Sequence, residues 1–77
     1  MEGTTYNAPT IIWRLQREGV FAYAIVVPRQ SKMQLLWWID DRIEGNEEFP
    51  EWARALERSE VVRTQLLEDG WGEVVDD

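Results

Sequence analysis

A chain of 77 residues without cysteine or histidine offers material for one domain, and it excludes disulfides, thiolate metal centres and the commonest general base. A formal charge of −7 argues against binding duplex DNA with the whole surface. The longest apolar run, residues 20–27, falls far short of the roughly 20 residues a membrane helix needs. The opening residues Met1, Glu2, Gly3, Thr4 and Thr5 have neither a basic end nor an apolar stretch. No secretory leader is therefore expected, and a cytoplasmic location is.

Residues 10–17, 20–27 and 33–40 read as three β-strands in an antiparallel meander, because apolar and polar residues alternate and β-branched and aromatic types dominate. Glu18 and Gly19 make the first reversal, where a tight hairpin requires positive φ. Pro28 through Lys32 make the second, Pro28 ending the ladder because it has no N–H. A two-residue first loop sets Arg17 opposite Val20, Leu15 opposite Ala22 and Trp13 opposite Ala24. A four-residue second loop sets Val26 opposite Leu35, Ala24 opposite Trp37 and Ala22 opposite Ile39.

In that register both faces of the sheet are apolar. One carries Ile11, Trp13, Leu15, Ala22, Ala24, Val26, Leu35, Trp37 and Ile39, with the two alanines forming a trough that a helix can fill. The other carries Ile12, Arg14, Phe21, Tyr23, Ile25, Leu36 and Trp38, besides Gln16, Val27 and Gln34. Arg14, Tyr23 and Trp38 form one cross-strand row, suited to cation–π contact. Ile12, Ile25 and Leu36 form the next. Little chain remains to cover this second face, and large apolar patches on small proteins mark contact surfaces.

Beyond the sheet, residues 40–46 read as a polar connection with Gly45 and Asn46 as turn residues. Pro50 fits the first turn of a helix, with Glu47, Glu48 and Glu51 complementing the positive pole of its dipole. Trp52, Ala55, Leu56, Ser59, Val62 and Leu66 make a helical stripe. It belongs either to one helix over about 50–69 or to two, the second capped by Ser59. Gly70 is a natural stop, and residues 71–75 can add a short fourth strand. The expected fold is thus α+β: a three-stranded meander over residues 10–40, helix packed on one face, one domain over residues 1–77 with loose ends at 1–8 and 76–77.

Charge is polarised along the chain. Residues 10–38 sum to +3, residues 39–60 to −5 and residues 61–77 to −4. Asp40, Asp41, Glu44, Glu47, Glu48 and Glu51 form an acidic surface. As a calcium loop begun at Asp41 this run fails, because Ile43 occupies a position that needs an oxygen ligand. Asp40 and Glu44 could act as an acid–base pair on a sugar only within a cleft, which a chain this short does not provide. The five glycines are scattered and make no phosphate loop. Neither an enzyme nor a metal or organic cofactor is expected.

Three functions remain. The first is a protein-interaction module that pairs with itself or a partner through the second sheet face. The second is a small acidic inhibitor that occupies a basic nucleic-acid-binding site, in the manner of phage anti-defence or immunity proteins. The third is single-stranded nucleic-acid binding, with Phe21, Tyr23 and Trp38 as stacking platforms.

Overall fold

A computed structural model describes residues 9–74. Strands β1 (Thr10–Arg17), β2 (Val20–Arg29), β3 (Lys32–Ile39) and β4 (Arg42–Phe49) form an antiparallel meander, followed by helix α1 (Trp52–Glu68) and strand β5 (Gly72–Glu73). All five strands belong to one sheet in the order β4-β3-β2-β1-β5. The fold is α+β, as composition and periodicity led us to expect. The expectation of loose ends at 1–8 and 76–77 lies outside the described residues.

The register matches the sequence reading through the centre of the sheet. Leu15 faces Ala22, Trp13 faces Ala24, Ala24 faces Trp37 and Val26 faces Leu35. Glu18 and Gly19 take φ of 50° and 80°, the two successive positive values that a tight two-residue hairpin needs. Pro28 does not end the ladder: β2 continues to Arg29, which pairs with Lys32. A two-residue loop makes that closing pair hydrogen-bonded, so the nitrogen of Pro28 faces away from β3. On that side β1 pairs with β2 only as far as Val26, and no ladder bond is lost.

Residues 40–46 are not a connection. Asp40 and Asp41 form a third two-residue hairpin with φ of 54° and 67°, and β4 runs from Arg42 to Phe49. The pattern was obscured because β4 has a bulge, its pairing shifting between Trp37 and Trp38 of its partner. It was obscured further because an edge strand tolerates charge on both sides. Gly45 is a strand residue opposite Trp37. A Cβ built there would lie 2.1 Å from the Trp37 ring, so glycine is present because the indole lies across the backbone.

Glu47 and Glu48 consequently belong to β4 and not to a helix start. Helix α1 begins at Trp52 with Glu51 at its N-cap and no acidic residue in its first turn. Pro50 lies before the helix. The helix passes unbroken through Ser59, whose hydroxyl donates to the Leu56 carbonyl at 2.8 Å. The buried Ser59 carbonyl accepts the indole N–H of Trp13 at 3.0 Å. Serine is thus a contact point between helix and sheet, small enough for a tryptophan to approach.

The helix covers the alanine-lined face. Leu15, Ala22, Ala24, Val26, Leu35 and Ala55 are fully enclosed, with Trp13, Trp37, Val62 and Trp71 nearly so. At the end of α1, Gly70 has φ of 99°. Gly70 N–H donates to the Leu67 carbonyl at 3.1 Å and Trp71 N–H to that of Leu66 at 3.0 Å, the paired bonds of a Schellman stop. This reversal drives Trp71 into the core and lays β5 against Leu15 and Gln16 of β1.

Candidate functional site

With α1 on one face, the opposite face of the sheet is covered by no described element. Alternation along the strands places Phe21, Tyr23, Ile25 and Val27 of β2 there, with Leu36 and Trp38 of β3. Tyr23 and Trp38 are cross-strand partners whose rings stack at 5.0 Å between centroids and 10° between planes. They shield each other, and both are half-buried. Arg14 lies opposite Tyr23, as the sequence register places it.

Two positions differ from the sequence reading. The pairing of β1 shifts between Ile11 and Trp13, so Ile11 stands opposite Ile25. Ile11 is therefore on the open face, 59% exposed, while Ile12 packs against the core. A bulge reverses the faces of the residues beyond it, and no turn residue in the sequence announces this one. The second addition is Ile43, opposite Trp38 and 57% exposed. Sequence reasoning missed it because it missed β4. The signal was the β-branched isoleucine itself, set among charged residues that read as a loop.

The face thus has an apolar centre that crosses four strands, from Ile11 through Ile25, Tyr23, Leu36 and Trp38 to Ile43. Its margin is polar and ordered. At one end Arg29 donates to Gln34 at 3.0 Å, Gln34 donates to Asn46 at 2.8 Å, and Lys32 approaches Glu48 at 4.0 Å. At the other end are the tips of the two hairpins, Glu18 with Gly19 and Asp40 with Asp41. Apolar centre and polar margin is the anatomy of protein–protein contact surfaces.

The six acidic residues from Asp40 to Glu51 are spread over the β3–β4 hairpin tip, β4 and the N-cap of α1. Glu47 faces the helix, where Arg58 grips it with two hydrogen bonds, at 3.0 and 3.3 Å. The same guanidinium lies 5.5 Å from the Trp37 ring centre, a cation–π contact under the helix. Glu48 lies on the open face, Asp40 and Asp41 on a hairpin tip, Glu44 in the β4 bulge and Glu51 at the N-cap. Further acids on the helix side are paired: Asp69 with Arg17 at 3.3 Å, and Glu60 and Glu73 with Arg63. Among the described residues, no three acids converge to hold a metal ion. Nor is any described helix long and apolar enough to cross a membrane. Compared with protein-family models, curated proteins and solved structures, the chain matches none.

Proposed function

We propose that this protein is a non-enzymatic interaction module whose working surface is the open face of the sheet. The observation that supports this most directly is the unbroken apolar centre from Ile11 to Ile43, facing away from the helix and framed by polar side chains. Phe21, Ile11 and Ile43 are each more than half exposed, although the domain already has a closed core on its other side. Monomeric proteins seldom leave so large an apolar patch bare. The dispersal and internal pairing of the acids lends less support to the acidic-inhibitor reading.

The double variant Phe21→Lys, Ile43→Lys tests the proposal. Both positions are exposed, so the circular dichroism spectrum should stay near that of the wild type. Light scattering should show an associated wild type and a variant at the 9.1 kDa chain mass. Equal monomeric masses for the two proteins, with Trp38 shielded from a soluble quencher, would contradict the proposal.

A further inference from the structure

Building on the interaction-surface reading, we infer that the occupant of the open face is a second copy of this chain, packed sheet to sheet with the strands of the two copies running in opposite directions. Three features of the face lead to this arrangement: its size, its shape and the distribution of charge along it.

Four strands spaced about 4.8 Å apart, each about seven residues long at 3.4 Å per residue, present a face of roughly 500 Å². Two such faces together remove on the order of 1,000 Å², the lower bound of a specific protein interface. The partner surface must therefore be of matching extent, and a second sheet supplies it. Twisted sheets stack about 10 Å apart with strands within about 30° of alignment, a spacing that side chains such as Leu36, Ile25 and Trp38 fill from both sides.

Charge selects the orientation. The β2–β3 hairpin end bears Arg29 and Lys32 on the open side, the pair that closes that hairpin, with Glu48 4.0 Å from Lys32, so its two cations outweigh one acid. The opposite end bears Glu18, Asp40 and Asp41 on its two tips. The cations beside these tips, Arg17 and Arg42, pair in register with Val20 and Ile39 on the helix side, and Arg17 is engaged by Asp69. Among the described residues, the open face is thus net positive at one end and net negative at the other. A two-fold axis in the contact plane, perpendicular to the strands, sets the basic end of each copy over the acidic end of its partner. The single basic tip then falls between the two acidic tips. A two-fold axis parallel to the strands would set like charge over like at both ends, which is disfavoured.

A mixing experiment tests this on the full chain. In one variant, Arg29→Glu and Lys32→Glu make both ends acidic; in the other, Asp40→Lys and Asp41→Lys make both ends basic. Each alone should dimerise at least about tenfold more weakly than wild type by sedimentation equilibrium, since like charges then meet at both ends. An equimolar mixture should recover dimer to within about threefold of wild type. Because Asp40 and Asp41 have positive φ, circular dichroism confirms that the second variant is folded; Asp40→Asn with Asp41→Asn, a residue that tolerates that backbone region, provides a third variant that should dimerise more weakly than wild type. Variants that dimerise as well as wild type, or a mixture that does not recover, would overturn the orientation and with it the inference. A wild type that stays monomeric while Trp38 is open to a soluble quencher would overturn the second copy as occupant, yet leave the interaction surface standing. A monomer with Trp38 shielded would overturn both.

Discussion

Trp37 illustrates how one residue pair holds an edge strand to the rest of the sheet. Its indole lies over Gly45 on one side and beneath the Arg58 guanidinium on the other, and Arg58 in turn grips Glu47. Gly45→Ala would put a methyl group 2.1 Å from the ring. The ring is 8% exposed and belongs to the core, so shifting it disturbs core packing. Chemical denaturation should show a loss of about 2–4 kcal/mol, the range for overpacking that also disrupts a core side chain. A loss below about 0.5 kcal/mol would mean that Trp37 does not rest on this glycine. The sequence shows Gly45 but not this role, because a glycine between Glu44 and Asn46 looks like a turn until its cross-strand partner is known. Trp13, by contrast, was legible: alternation places it on the core face, and only its bond to Ser59 needed the fold.

At the scale of elements, the first three strands and their register follow from alternation and from Glu18 and Gly19. What sequence reading could not see were the bulges at Ile12 and Glu44, since an extra residue leaves no compositional mark. Their consequences are local but decisive for the surface, exchanging Ile12 for Ile11 and adding Ile43. The end of the helix was legible because Gly70 meets a conformational demand that few other residues satisfy. Gly70→Ala should cost about 1–2 kcal/mol, the price of placing a Cβ in the left-handed region. It should also loosen β5, which can be read as faster amide exchange at Val74, whose N–H donates to the Arg14 carbonyl at 3.2 Å. Unchanged exchange there would mean that β5 is held independently of the helix stop.

For the molecule as a whole, the helix closes one face of the sheet and the proposal assigns the other to recognition. The helix side is closed by Ala22, Ala24 and Ala55 and bound by Arg58, Arg63 and Arg17 to carboxylates across element boundaries. These exposed ion pairs contribute little individually, but they draw much of the acidic charge to that side. The open side carries the aromatic and aliphatic residues that the proposal assigns to contact. Accessibility of Trp38 tests this division most directly, read as the acrylamide quenching that separates wild type from Trp38→Phe. The account predicts that Trp38 is quenched in dilute solution, where the particle has the 9.1 kDa chain mass, and becomes protected as concentration rises and the mass increases. A Trp38 shielded equally at every concentration, in a particle that never exceeds the chain mass, would contradict it.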